Sequence, residues 1–148
     1  FVLIYIFSNL AAFGVASAIE ENTGKVRIED YKGLYASNPL LSWVLAIALF
    51  SLAGIPPTAG FFGKLFLIGT GATKATYPFI IFAALNMIIS LYYYLRVIRS
   101  VFMDFNEQPI GKINLDFSTK LGMIICASGI VLLGILSWVY DYITALSI

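Results

Sequence analysis

From Pro39 to Thr73 the chain is apolar for about 35 residues, and within that run stands Gly54-Ile-Pro-Pro-Thr-Ala-Gly60. A straight helix of this length would rise about 50 Å at 1.5 Å per residue. The hydrocarbon core of a bilayer is only about 30 Å thick. The break resolves the surplus: neither proline donates a backbone hydrogen bond, and Pro57 drives the residue before it away from helical geometry. The run therefore predicts two half-helices, about 39–54 and 60–72, joined by an unwound stretch, with Pro39 at a favoured first helical position. Unwound backbone at membrane depth survives only where protein buries it or where it lines a watery cavity. Gly54, Pro56, Pro57, Thr58, Gly60 and Gly63 are expected to shape this break, Thr58 by bonding carbonyls that it frees.

The rest of the chain has the same character. Of its 148 residues 60% are hydrophobic and 11% charged, against about 45–50% and 25% in soluble domains. The expected fold class is all-α, a polytopic transmembrane helical bundle of four spans in a single domain over residues 1–148. The spans fall at about 1–19, 39–73, 77–103 and 121–140, the second broken at Gly54–Gly60. Ala11, Ala12, Gly14, Ala16 and Ala18 are small residues of the kind that let membrane helices approach closely. Between the first two spans, residues 27–35 suit a short interfacial helix. The chain starts at Phe1 inside an apolar run, with no basic leader, so it is expected to be the C-terminal part of a longer protein.

Basic residues orient membrane helices. Lys25, Arg27 and Lys32 lie in the linker at 20–38, and Arg96, Arg99, Lys112 and Lys120 in the stretch at 96–120; Lys74 stands alone between spans two and three. Both basic stretches are thus expected on the cytoplasmic side and the C-terminus on the opposite side. Tyr92-Tyr-Tyr-Leu-Arg96 reads as an aromatic belt followed by positive charge.

Lys64 is the residue with the most chemical promise. It precedes Lys74 by ten residues, about 15 Å of helix and half the hydrocarbon thickness. Charge at that depth is costly and marks ion paths, and a helix break supplies the unpaired backbone dipoles that such paths use. A lysine there can release and rebind a proton if water or polar groups reach it; the alternative is a lysine merely satisfied by carbonyls at the break. Asn86 and Ser90, four apart on one helix face, and Ser8 and Asn9 could line such a path, or could serve only helix–helix adhesion. Net charge is +1, so nothing points to nucleic acid. There is no histidine, and the single Cys126 sits in an apolar run, where it reads as a small hydrophobe. No nucleophile triad, phosphate loop or intramembrane carboxylate pair is evident.

Ser51-Leu-Ala-Gly-Ile-Pro-Pro-Thr-Ala-Gly-Phe-Phe-Gly-Lys64 closely resembles the second broken helix of the antiporter-like, proton-translocating family of bacterial NADH-quinone oxidoreductase, respiratory complex I. Ile89-Ser-Leu-Tyr-Tyr-Tyr-Leu-Arg96 resembles the next helix, in the version of subunit N rather than of its paralogues L and M. Tyr5 to Phe13 and Asp30-Tyr-Lys-Gly-Leu34 resemble the segment before. The resemblance implies the last four of fourteen spans, in the bacterial inner membrane, with Lys64 as the proton relay on the terminal part of the path. It implies an enzyme only as a translocase subunit. No redox site or cofactor is expected in this chain, since NADH, FMN, iron–sulfur clusters and quinone would belong to other subunits. The implied partners are the other membrane subunits, lipid, water and protons. A subunit of a multisubunit cation/proton antiporter, which shares the broken helix, and a non-transporting membrane scaffold are the rival readings.

Overall fold

The computed structural model describes residues 2–56, 58–72 and 77–146. Pro57 and Lys74, both used above, lie outside the described residues. All regular structure among the described residues is helical: α1 (Val2–Thr23), a 3-10 turn (Ile28–Tyr31), α2 (Leu34–Ser37), α3 (Pro39–Ala53), α4 (Ala59–Ala72), α5 (Tyr77–Phe102) and α6 (Phe117–Leu146). Helices α1 and α5, and the Phe117–Val139 part of α6, are long and apolar enough to cross a membrane. At 15 and 14 residues, α3 and α4 are about 21–23 Å long.

Helix α3 occupies the centre, with α1, α5 and α6 packed around it. It buries Leu41, Val44, Leu45, Ala46, Ala48, Leu49 and Ala53, together with Ser42 and Ser51. They cover most of the circumference, and the remaining face carries Leu40, Trp43, Ile47 and Phe50 at helical spacing, with Leu40 and Trp43 exposed. The opposing face of α1 buries Ser8, Ala11, Val15, Ala18 and Ile19, a set spaced by three, four and one residues along one helical face. Its short side chains allow the two backbones to come close.

Helix ends follow local chemistry. Pro39 starts α3, where its missing N–H is no loss. Helix α1 runs four residues past the expected limit near Ile19, because Asn22 and Thr23 bond back to the carbonyls of Ala18 (2.7 Å) and Ile19 (2.6 Å). The single interfacial helix expected at 27–35 is instead split by Gly33. This residue adopts φ +72° and separates the 3-10 turn from α2. Within the turn Tyr31 is buried, and desolvation, with Glu20 and Asp30 nearby, pushes its phenol above the ordinary value.

The linker between α5 and α6 is stitched to the base of α3 by one side chain. Buried Asn38 donates through Nδ2 to the Gly111 carbonyl (3.0 Å) and accepts through Oδ1 from the Ile113 N–H (2.8 Å). Ile110 and Ile113 are thereby held in the core.

Candidate functional site

The site forms where α3 stops. Gly54 takes φ +79°. Its N–H lies 3.1 Å from the Ser51 carbonyl and 3.0 Å from that of Phe50, while the Ile55 N–H reaches the Phe50 carbonyl at 3.0 Å. This is a Schellman closure, the commonest way to end a helix on glycine. Thr58, buried in the connection, donates through Oγ1 to the Ile55 carbonyl (2.7 Å). The chain then turns into α4 at Ala59.

Lys64 lies in the second turn of α4, and its side chain runs back to the end of α3. Nζ donates to the Leu52 carbonyl at 2.5 Å, one of the last-turn carbonyls that a helix cannot pair internally. The carboxyl end of a helix carries about half a negative charge, so the ammonium sits where α3 attracts it. A neutral amine still has two protons to donate, so this contact suits both protonation states, although the charged form bonds more strongly.

Two glycines make the approach possible. A Cβ on Gly54 would lie 3.0 Å from Lys64 Cδ, a contact tight enough that the lysine stem would have to give way slightly. A Cβ on Gly60 would lie 1.8 Å from the Ser51 carbonyl oxygen. No side chain fits there, and α4 crosses α3 backbone against backbone. Gly63 is buried beside it, whereas Pro56 is exposed in the connection.

Beside Lys64 is a cavity of about 230 Å³ lined by Ile4, Tyr5 and Ser8 of α1, Ser51 and Leu52 of α3, Gly60 and Lys64 of α4, and Ser90 and Tyr94 of α5. With about 30 Å³ per water in the liquid, it has room for several waters. Five of the lining residues carry hydroxyls. The Ser8 and Ser51 oxygens are 2.7 Å apart, and Ser8 also donates to the Ile4 carbonyl at 2.9 Å. Ser8 has one proton, so Ser51 is the donor between the two.

Of the polar residues expected to line a path, Ser8 and Ser90 come together with Lys64. Asn9 does not: its Nδ2 donates to the Tyr5 carbonyl (2.8 Å), and it borders other grooves of the surface. Asn86 is exposed and away from the cavity. Sequence reasoning missed Tyr5, Ser51 and Tyr94. In sequence Tyr94 stands beside Tyr92 and Tyr93, which are exposed as interface anchors are. Its register sets it apart, since it lies four residues after Ser90 and so shares that face of α5. Among the described residues no group of three or more His, Cys, Asp or Glu is gathered to hold a metal.

The all-helical bundle with apolar, membrane-length helices is of the membrane-protein class, and the chain belongs to the family described as NADH:quinone oxidoreductase/Mrp antiporter, TM, whose model matches residues 1–90. Within that family it is similar to NADH-quinone oxidoreductase subunit N of Phocaeicola vulgatus, at 46% identity over 145 residues, covering 97% of this chain and 31% of the relative. Subunit N of Azobacteroides pseudotrichonymphae is 44% identical over 149 residues, covering 99% of this chain and 31% of that protein. The chloroplastic NAD(P)H-quinone oxidoreductase subunit 2 of Zygnema circumcarinatum is 48% identical over 102 residues, covering 69% of this chain and 20% of that one. Among solved structures, a chain of respiratory complex I from Thermus thermophilus with bound aureothin superposes with a TM-score of 0.74 at 28% identity, covering 90% of this chain and 31% of that chain. The chain thus spans about a third of the length of the subunit N relatives it matches.

Proposed function

We propose that this chain is part of a proton-translocating membrane subunit of NADH-quinone oxidoreductase, and that Lys64 is its proton relay. The observation that carries the reading is the placement of the Lys64 ammonium between a helix-terminal carbonyl and a hydroxyl-lined cavity large enough for water. In this reading α3 and α4 together make one crossing, broken at Gly54–Gly60, so that residues 1–148 form a single domain of four crossings. Both basic linkers face the cytoplasm of a bacterium, and the C-terminus faces the other side. Quinone reduction and its cofactors belong to other subunits of the assembly.

Lys64 would work by alternation. Its ammonium gives a proton to cavity water, and the amine stays tethered to Leu52. A change of charge elsewhere in the subunit then restores the proton from the opposite side. Ser8, Ser51, Ser90 and Tyr94 would order the waters, while Gly54, Pro56, Thr58, Gly60 and Gly63 would shape the break. Asn86 and Asn9 have no part in this step. The subunit N names of the two relatives at 46% and 44% identity favour this reading over a separate cation/proton antiporter.

The bond from Lys64 to Leu52 would serve a purely structural lysine equally well. Lys64→Met in the whole assembly separates the two. We expect proton pumping per electron to drop severely while the complex still assembles; a variant that pumps normally at a normal rate of quinone reduction sinks the proposal.

A further inference from the structure

Where α5 ends, the chain builds a second polar site that the proton relay does not use. A pocket of about 610 Å³ opens between the last turns of α5 and the 3-10 turn, lined by Arg27, Lys32, Arg96 and Arg99 and by two acids, Glu29 and Asp104. Four cations against two carboxylates leave the pocket at +2. Arg96 and Arg99 stand three apart on one face of α5, so their like charges are neighbours. Among the described residues, the ion pair found is Arg99 Nε to Asp104 at 3.6 Å. The side chains of Arg27, Lys32 and Arg96 make no ion pair among the described residues, although the Asp30 carboxylate accepts from the Arg27 backbone N–H at 3.1 Å.

The pocket is braced across its base. Ser100 Oγ donates to the Ile28 carbonyl (3.0 Å), and the Gly33 N–H donates to the Ser100 carbonyl (3.2 Å). These bonds clamp the 3-10 turn to α5, so that cations on two separate elements converge by construction. On the same wall Val26 and Ile28 are 65% and 42% exposed. Just along α5 the exposed Tyr92 and Tyr93 mark a membrane–water interface. A positive hollow with an apolar rim at that level matches a ligand with an anionic head and an apolar tail. Basic pockets between membrane helices recognise phospholipid headgroups in this way.

We propose that this pocket binds the headgroup of an anionic phospholipid, with its phosphate between Arg27, Lys32 and Arg96 and its acyl chains along Val26 and Ile28. The site is separate from the Lys64 cavity and stands whether or not Lys64 relays protons.

The test uses the full-length subunit in its purified, delipidated assembly. Native mass spectrometry reads retention of added phosphatidylglycerol against phosphatidylcholine. Each basic residue near a membrane surface contributes about 1 kcal/mol to binding an anionic lipid, about fivefold in affinity. Arg27→Gln with Arg96→Gln should therefore lower phosphatidylglycerol retention by about 30-fold and leave phosphatidylcholine unchanged. Lys25→Gln, in the same linker but outside the pocket, should change neither. An equal loss from Lys25→Gln would mean diffuse surface attraction and overturn the site. Inorganic phosphate that displaces the lipid completely would make it a free-anion site and overturn the lipid assignment. Phosphatidylglycerol bound by the isolated subunit but not by the assembly would mean that a neighbouring protein covers the pocket, and would overturn it as well.

Discussion

Helices α3 and α5 are both strongly apolar, yet among the described residues they pack in opposite ways. Helix α3 packs against α1, α5 and α6 and buries most of its circumference, leaving one narrow face at Leu40 and Trp43 exposed. Helix α5 buries none of its most apolar 18-residue window, and Phe79, Ile81, Phe82 and Ile88 all face outward. Apolarity therefore does not say what a membrane helix touches, because lipid tails are as apolar as leucine. Side-chain size does distinguish the two. Helix α3 is punctuated by Ser42, Ala46, Ala48, Ser51 and Ala53, which let other backbones come near, whereas α5 presents long and aromatic side chains to its surroundings.

The sharpest way to break this contrast is at the crossing of α3 and α4. Gly60→Ala puts a methyl carbon where the Ser51 carbonyl already stands. Forced overpacking of a core costs about 1–3 kcal/mol, occasionally more, and here the obstacle is backbone, so about 3 kcal/mol or more is expected. The amount of assembled, heat-resistant complex in the membrane should fall steeply; wild-type yield and thermal stability would show that the helices can slide apart freely. Next comes Ala48→Leu in the middle of α3, at a residue with no exposed surface. It should cost about 1–3 kcal/mol, read as a lower unfolding temperature of the detergent-solubilised protein. The smallest effect is expected on α5, where Ile88→Val removes a methylene from an exposed side chain. That change should stay within about 0.5 kcal/mol, as for most surface substitutions. An Ile88→Val penalty as large as that of Ala48→Leu would erase the distinction between the two helices.

Much of the fold was legible because its signals are local. Pro39 can start a helix and Gly54 can end one without reference to the rest of the chain, and Lys64 is conspicuous in any apolar run. The cavity was not legible in the same way. Ser8, Ser51, Ser90 and Tyr94 come from three helices, and they meet only because of the angles at which α1, α3 and α5 cross. Periodicity says that Ser90 and Tyr94 share a face, but not that Ser8 and Ser51 lie opposite that face. The same limit explains why Asn9 and Asn86 were expected in the lining: their polarity is visible in sequence, and their direction is set by packing. Gly33 is a different case. Its power to take a positive φ was available from sequence alone, and it is the reason the linker at 27–35 makes two short turns instead of one helix.

The empty side-chain volume of Gly54 has a consequence for anyone redesigning such a protein. The lysine stem packs tightly against the bare Cα of Gly54, so one residue both lets the helix end at positive φ and leaves room for the arm of the charge. The transferable unit is then a spacing: a left-handed glycine with a lysine ten residues further on. Grafting the lysine alone into another interrupted helix would deliver the charge without a berth for its arm.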